Sequence, residues 1–573
     1  MLKTAADSAF KATHEVANQA PALADYNLFA TDRVLSAGLE REGAGWALRL
    51  LEDFGRHTGS EEAIRWGFQA NENTPALSTH DRFGHRIDEV EFHPAWHELM
   101  RLSIENGLAS LPWAEPPQNA HDGPPQQRVS AAVGGRGALC AREGAHVARS
   151  ALMFLAAQNE AGHTCPVSMT CSAVPVLRQQ PDVAREWTPR ILAAHYDPRY
   201  RPAAEKSGVL IGMAMTEKQG GSDVRANTSI AQPAGAGEYL LTGHKWFCSA
   251  PMSDAFLVLA QAPGGLTCFL LPRWTPDGER NAFHIQRLKS KLGNRSNASG
   301  EVEFEGAWAR RVGEEGRGVA TIIEMVQHTR LDCVMGTAAL MRQALVQAIH
   351  HARHRSAFGS PLIDQPLMQN VLADLALESE AATMLMLRLA RAFDARDSDP
   401  RERGIARLAT AVGKYWVSKC GPAHVGEALE CLGGNGYVEE CILPRLYREA
   451  PVNSVWEGSG NVICLDILRA LRKDPEAASS LVDEISLARG VDRRFDAFAD
   501  RVESDLPQAA TEVEARRLAE RLALALEASL LIRHSIPAVA GAFCATRLAG
   551  EGGRAFGTLP PQVDFRAILE RAF

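Results

Sequence analysis

A change in hydrophobic periodicity limits the folds open to this chain. From about residue 205 to 312, short apolar or alternating runs are separated by Gly, Pro, Asn and Asp, which predicts the strands of an antiparallel β-domain. On both sides, apolar residues recur at helical spacing, most clearly in 145–158, 337–355, 366–393, 407–432 and 511–534. The sequence therefore predicts a mainly α fold with one inserted β-domain.

The length of 573 residues requires more than one core, because a single core rarely grows beyond about 250–300 residues. We predict a helical N-terminal domain at 1–190, a β-domain at 191–312 with the cofactor site, a helical bundle at 313–470 and a helical extension at 471–573. Residues 115–137, rich in Pro, Gln and Gly, are interpreted as a mobile surface insertion.

Composition argues against several classes of protein. No run approaches the ~18–20 uncharged apolar residues that span a bilayer, and the N-terminus has neither the apolar core of a secretory signal nor the basic character of a transit peptide. Eleven scattered cysteines without a CxxC pair predict reduced thiols in the cytoplasm. The net charge of −8 argues against nucleic-acid binding over the whole surface, but it is compatible with a local basic patch.

Common catalytic motifs are missing from the sequence, among them GxGxxG, the P-loop, HExxH and GxSxG. His93 and His97 have the spacing of a metal-ligand pair. Buried or helix-capping histidines are the simpler interpretation, and we predict no metal site.

Three segments combine residues that a bound cofactor ring requires. In 213–224, Gly220 and Gly221 allow close approach of the backbone to a ligand, and Thr216 and Ser222 offer hydroxyls. A plain β-turn is the alternative for this segment. In 243–249, aromatic residues stand beside small polar groups. A stacked cofactor ring requires this combination, but an ordinary half-buried strand has it too.

The third segment, 453–461, places Glu457 between Trp456 and a Gly-Ser-Gly run. Glycines leave room for a substrate, and an aromatic neighbour raises the pKa of an acid by desolvation, which suits a general base. A capped helix N-terminus is the alternative.

In this order the segments resemble the motif series of the acyl-CoA dehydrogenases: MTE-x-x-x-GSD, then W/F-x-S, then [YW]-EG-[TS]. Further matches are KLGNRS at 291–296, RSAFG at 355–359 and LGGNGY at 432–437. Six ordered motifs do not recur by chance, and the resemblance covers about 140–470. The runs EREGAGWA and EFHPAWHELM and the C-terminal extension are similar to the AidB-like branch of alkylation-response flavoproteins, over nearly the whole chain.

The resemblance implies non-covalently bound FAD between the β-domain and the bundle. By motif position, the FAD-binding residues are Met213, Met215, Thr216, Gly221, Ser222, Phe247, Cys248, Ser249, Val455, Trp456, Gly458, Ser459, Gly460 and Asn461. In a homotetramer, Arg355 and the turn at Gly433 would reach the flavin of a neighbouring subunit, although Glu430 stands where typical members carry Gln.

The resemblance also implies the chemistry: a carboxylate removes the proton α to an acyl-CoA thioester while the β-hydride passes to the flavin. Glu457 falls at the position of that base. A minority of members carry the base at the position of Thr329, which cannot act as one. The adjacent Arg330 is predicted to orient Glu457, with a structural ion pair as the alternative.

AidB-like proteins bind double-stranded DNA through the extension, which requires clustered cations. The candidates here are Arg469, Arg472, Lys473, Arg547 and Arg554. Against this, 465–573 holds 15 Lys+Arg and 17 Asp+Glu, and Glu551 stands where the branch has an arginine. Two alternatives stay open: a metabolic acyl-CoA dehydrogenase without a DNA role, and a DNA-associated flavoprotein whose dehydrogenase chemistry is vestigial.

Overall fold

The computed structural model describes residues 13–114, 142–506 and 511–573. The predicted insertion at 115–137 lies outside these ranges. Within them, no helix is long and apolar enough to cross a membrane, and no group of three or more His, Cys, Asp or Glu side chains is arranged to hold a metal ion.

The N-terminal part is helical, with one hairpin that the sequence analysis does not predict. His93 caps the fourth helix by accepting from the Ala95 N–H at 3.2 Å, and His97 contacts the Tyr196 hydroxyl at 2.8 Å. The elements are α1 Arg33–Arg41, α2 Leu48–Thr58, α3 Glu61–Glu72, β1 Ala76–His80, β2 Arg86–Glu91, α4 Pro94–Glu105, α5 Ala145–Asn159, α6 Thr164–Leu177 and α7 Pro181–Leu192.

The β-domain follows as seven strands in the order β3-β6-β4-β5-β9-β7, with β8 paired to β9. Pairing of β6 with β7 closes five of them into a barrel around an apolar core. Most pairs are antiparallel as predicted, but β3 runs parallel to β6. The strands are β3 Ile211–Ala214, β4 Ile230–Gly235, β5 Glu238–Ser249, β6 Ala255–Ala262, β7 Gly265–Pro272, β8 Phe283–Leu288 and β9 Ser299–Val312.

Long helices return after the barrel. The first starts at Gly318, where helical spacing returns in the sequence, and it includes the amphipathic pattern predicted at 337–355. Residues 325–335 within it are buried on every face. Pro366 occupies the first turn of its helix, where its missing N–H costs no hydrogen bond. The helices are α8 Gly318–His354, α9 Pro366–Ala395, α10 Pro400–Glu430, α11 Ile442–Glu449 and α12 Gly460–Lys473.

The C-terminal extension packs on this bundle and shares its core. Arg388 of α9 forms buried ion pairs with Glu402 at 2.7 Å and with Glu484 of the extension at 3.0 Å. The predicted boundary at 470 falls inside α12. The helices are α13 Pro475–Ser486, α14 Arg493–Asp505, α15 Ala515–His534, α16 Pro537–Phe543 and α17 Phe565–Ala572.

Candidate active site

The loop after β3 curls back on itself. The Thr216 carbonyl accepts from the Trp246 N–H at 2.8 Å, which ties the loop to β5. A Cβ at Gly221 would collide with Thr216 Oγ1, so only glycine allows this curl. Met213 and Met215 are half-buried at the start of the loop, and Ser222 is exposed at its far side.

A buried ion pair holds the base of this loop. Lys245 Nζ lies 2.8 Å from Glu217 Oε1 and 2.7 Å from the Leu259 carbonyl, and both charged side chains are fully buried. Burial disfavours the charged carboxylate, but the Lys245 ammonium outweighs it and lowers the pKa of Glu217 to about 2. The loop therefore has a fixed base and an exposed tip.

A bulge in β5 decides which side chains face the site. Pairing with β9 shifts register between Lys245 and Cys248, so both of these are buried in the barrel while Phe247 is 51% exposed and Ser249 half-buried. The assignment of Cys248 to the cofactor site is wrong, because its side chain joins the barrel core. Phe247 and Ser249 remain on the outer face.

Glu457 lies in a strained turn. Its φ is +57°, in the left-handed region that non-glycine residues rarely adopt, and Gly458 follows at +101°. Trp456 Nε1 donates to Asn453 Oδ1 at 3.0 Å, and Lys414 Nζ donates to the Gly458 carbonyl at 2.5 Å. The surrounding side chains thus hold a conformation that the residue itself disfavours.

The Glu457 carboxyl has one direct partner within the described part of the chain. Thr329 Oγ1 donates to Oε2 at 2.8 Å, and Oε1 is unpaired. Burial raises the pKa of Glu457, while the Thr329 hydroxyl and the Lys414 and Arg330 charges oppose the increase. An acid with a raised pKa and one unpaired oxygen has the properties of a general base.

Arg330 combines the two roles considered for it. Its Nε donates to the Glu457 carbonyl at 3.1 Å, and its Nη1 lies 2.8 Å from Asp466 Oδ2. Arg407 pairs with the other Asp466 oxygen at 2.9 Å. Arg330 is therefore a positioning residue for the backbone of Glu457, anchored by an ion pair.

The three predicted segments converge in space. Segments 213–224 and 243–249 meet where the Trp246 N–H donates to the Thr216 carbonyl. Cys165, in the first turn of α6, lies close enough to both Ser249 and Glu457 for each to influence the pKa of its thiol. Val455, beside this space, is 65% exposed. Asn461 Oδ1 accepts from Arg516 of the extension at 2.8 Å, while Ser459 is exposed and Gly460 opens α12.

Arg355 lies far from this cluster. It follows α8, 26 residues beyond Thr329, which at 1.5 Å per residue is about 39 Å along the helix. Its guanidinium binds the Asn18 carbonyl. Within one chain it cannot reach Glu457, so its predicted contact requires a second subunit.

The cations predicted to bind DNA fall into two groups. Arg469, Lys473 and Arg554 are exposed, as is Arg472. Arg547 is wrong as a candidate, because it is half-buried in ion pairs with Asp374 and with Glu378 at 2.7 Å.

A cleft of about 700 Å³ opens between the barrel and the bundle, beside Arg330. Four arginines and a single carboxylate, Asp466, line it. Apart from Arg407, the arginines have no ion-pair partner among the described residues. The lining cations are Arg225, Arg317, Arg407 and Arg469.

Sequence reasoning missed several residues of the site. Thr329 was considered only as a base, although a hydroxyl next to Arg330 could have suggested a hydrogen bond to Glu457. Lys414 could have been found as a lysine on an otherwise apolar helix face. Lys291 is marked in the sequence only as the first residue of the KLGNRS motif, and Cys165 has no sequence signal.

The site suits a planar heterocycle such as the isoalloxazine ring. Phe247 and Val455 expose apolar surface, and Thr216 and Ser249 supply hydroxyls beside it. These residues can stack on a ring and hydrogen-bond its polar edge.

Family models cover most of the chain. A model described as the N-terminal domain of the adaptive response protein AidB matches residues 18–141 and 126–198. The acyl-CoA dehydrogenase middle domain matches 212–307, and the acyl-CoA dehydrogenase C-terminal domain matches 316–472.

Individual relatives agree with these models. The chain is 45% identical to AidB of Escherichia coli (strain K12) over 94% of its own length and 95% of that protein. Caenorhabditis elegans ACDH-11, solved in complex with C11-CoA, has a TM-score of 0.80 at 26% identity, over 94% of each chain. The apo form of Bd2924 has a TM-score of 0.77 at 27% identity, over 90% of this chain and 99% of that one. The predicted fold and resemblance are confirmed: the chain belongs to the acyl-CoA dehydrogenase superfamily, in its AidB-like branch, and its cofactor is FAD.

Proposed function

We propose that this protein oxidises an acyl-CoA thioester between its α and β carbons, with Glu457 as the base. The observation that carries the proposal is the Glu457 carboxyl itself: burial raises its pKa, Thr329 holds one oxygen, and the other is unpaired within the described chain. Such a group can accept a proton without first breaking an ion pair.

We place the flavin between the β5 edge and the Glu457 turn. Phe247 would stack on the ring, and Ser249 and Thr216 would bind its polar edge. When bound, FAD accepts the hydride from the β-carbon of the substrate. The other residues proposed to line the cofactor are Met213, Met215, Gly221, Ser222, Val455, Trp456, Gly458, Ser459, Gly460 and Asn461.

The chain's own groups supply the proton transfer. Thr329 fixes Oε2 of Glu457, which leaves Oε1 available to accept the α-proton. Arg330 donates to the carbonyl of Glu457 and Lys414 donates to the carbonyl of Gly458. These two hydrogen bonds hold the turn in its strained backbone conformation. Trp456, beside the base, narrows the space for the acyl chain.

The arginine-lined cleft supports CoA as the carrier. Asp466, which lines the cleft, pairs with Arg330, and Arg330 donates to the carbonyl of Glu457. The cations of the cleft suit the diphosphate and 3′-phosphate of a CoA thioester. The ACDH-11 complex with C11-CoA makes an acyl-CoA of medium length a reasonable first probe.

An anaerobic titration with acyl-CoAs of increasing chain length tests the proposal. At least one thioester should bleach the oxidised flavin band. The Glu457→Gln variant should retain FAD, but acyl-CoA should not reduce its flavin. Glu570 is an exposed carboxylate distant in sequence, and the flavin of Glu570→Gln should be reduced like that of the wild type. If no thioester reduces the flavin, the enzyme proposal fails. The alternative of a DNA-associated flavoprotein with vestigial dehydrogenase chemistry is then favoured.

We also propose a homotetramer in the cytoplasm. Phe358 is fully exposed at a φ of +52°, and Leu367 and Tyr437 are also strongly exposed, which supports coverage by other copies. Arg355 would then reach a neighbouring flavin. Light scattering should give four chains, and Arg355→Ala should weaken FAD binding.

The described cysteines are all free, which supports a reducing compartment.

DNA binding is a second proposed function, with protection against alkylation damage as its proposed role. The exposed Arg469 at the cleft rim, near Arg472 and Lys473 on α12, favours it. In gel shifts across a salt series, Arg469→Ala should reduce the slope of log affinity against log salt by about 0.9, the value for one phosphate contact. Arg566→Ala, an exposed arginine paired with Glu570 at 2.7 Å, serves as the control. No binding at low salt would reject this function and favour a purely metabolic enzyme.

A further inference from the structure

A charged group beside the proposed flavin position has no role in the reaction described above. Lys291 Nζ donates to the Asn297 carbonyl at 2.6 Å and to Ser299 Oγ at 2.9 Å. Ser299 pairs with Ser249 across β9 and β5. Ser249 and Asn297 both lie close enough to Cys165 to influence the pKa of its thiol. The Lys291 ammonium therefore binds Ser299, which lies on the neighbouring strand opposite Ser249, the residue assigned to the flavin edge.

The charge on Lys291 is not neutralised locally. Glu160 and Glu449 are the carboxylates that influence it, and neither lies within ion-pair distance. Glu160 is engaged by His163 and by Ser296 at 2.8 Å, and Glu449 is engaged by Asn294, also at 2.8 Å.

Burial lowers the pKa of Lys291 to about 8, opposed by the influence of Cys165, Glu449 and Glu160. At pH 7 most molecules thus carry a positive charge there. In a site of low dielectric, such a charge acts strongly on its neighbours. Because reduction adds negative charge to a flavin, a cation beside the ring favours the reduced form.

We propose that Lys291 sets the reduction potential of the bound FAD, raising it by holding a cation against the Ser299–Ser249 pair. This inference rests on the proposed placement of FAD against Ser249. It does not depend on which thioester, if any, is oxidised. Lys291 acts here as an electrostatic residue and takes no part in the proton transfer.

The test is the midpoint potential of the holoprotein, measured by dye equilibration from pH 6 to 9. Lys291→Met should lower the preference for reduced over oxidised FAD at least tenfold at pH 7, which is 29.6 mV for a two-electron couple. Lys291→Arg should keep the wild-type potential. Arg287→Met, which removes an exposed cation paired with Glu301 at 2.7 Å in the same domain, should leave the potential unchanged.

Three outcomes overturn or separate the claims. An unchanged potential in Lys291→Met refutes the inference. If Lys291→Met does not retain FAD, Lys291→Arg decides, since it should remove the change of slope near pH 8 that the wild type shows; persistence of that change refutes the inference. Ser249→Ala should shift the flavin absorption spectrum, and an unshifted spectrum would refute the placement of FAD instead.

Discussion

The hydroxyl of Thr329 offers a direct way to perturb the proposed base without touching it. Thr329→Val keeps the branched side chain on α8 but removes the 2.8 Å hydrogen bond to Glu457 Oε2. The bond stabilises the carboxylate over the neutral acid, so its loss raises the pKa of Glu457 further. The variant should therefore need a higher pH to ionise its base.

A hydrogen bond to a charged group contributes about 1.5–3 kcal/mol. Because Glu457 is partly open to the site, we take the lower part of this range, about 1.5–2 kcal/mol, which corresponds to about a 10- to 30-fold change. Flavin reduction by a saturating acyl-CoA, followed by stopped flow, should be slower by this factor on the acid limb. The rates should converge with the wild type on the alkaline plateau.

Thr329→Ser is the matched control, because it keeps the hydroxyl and loses only a methyl group. Its pH profile should follow that of the wild type. Two results would refute the assignment of this hydrogen bond to the base. One is an acid limb of the pH–rate profile of Thr329→Val that coincides with that of the wild type. The other is an acid limb in Thr329→Ser that is displaced as far as in Thr329→Val.

Three further predictions follow from the same site. Gly221→Ala should weaken FAD binding at least tenfold in a fluorescence titration, since the loop cannot close over a Cβ, whereas Gly541→Ala, which meets open space on α16, should bind FAD as before. Lys245→Met should cost about 3–5 kcal/mol in urea unfolding by leaving Glu217 as an unpaired buried charge; adding Glu217→Leu should recover most of the loss, and no recovery would contradict the ion-pair account. Because burial raises the pKa of Glu457, the folded apoprotein holds that proton more tightly than the unfolded chain, so this group costs stability as pH rises above the ordinary glutamate range. Glu457→Gln should accordingly raise the melting temperature of the apoprotein more at pH 8 than at pH 4, and an equal increase at both would contradict the assigned pKa direction.

Local signals predicted much of the architecture. The apolar run at 255–262 coincides with β6, and Pro366 stands in the first turn of α9. Turn-forming glycines and the residues around Glu457 lie within single short segments, so each segment could be singled out from the sequence. The convergence of those segments required the family resemblance, since no local pattern states which loops meet.

The wrong assignments have non-local causes. The Cys248 side chain faces the barrel core because a bulge interrupts the alternation of inward and outward side chains along β5. That bulge depends on the pairing of β5 with β9. Arg547 is engaged by Asp374 and Glu378, about 170 residues earlier in the chain. Helical spacing returns after Gly318, but the amphipathic pattern marks only the second half of α8, because residues 325–335 are buried on all faces and present no polar side.

The central claim is that Glu457 removes the proton α to an acyl-CoA thioester. Incubation of the FAD-loaded protein with an acyl-CoA in D₂O under anaerobic conditions, followed by mass spectrometry of the recovered thioester, measures that step without an electron acceptor. The wild type should introduce deuterium at the α-carbon, and Glu457→Gln should introduce none above the protein-free rate. Equal exchange by the two proteins would show that another group is the base.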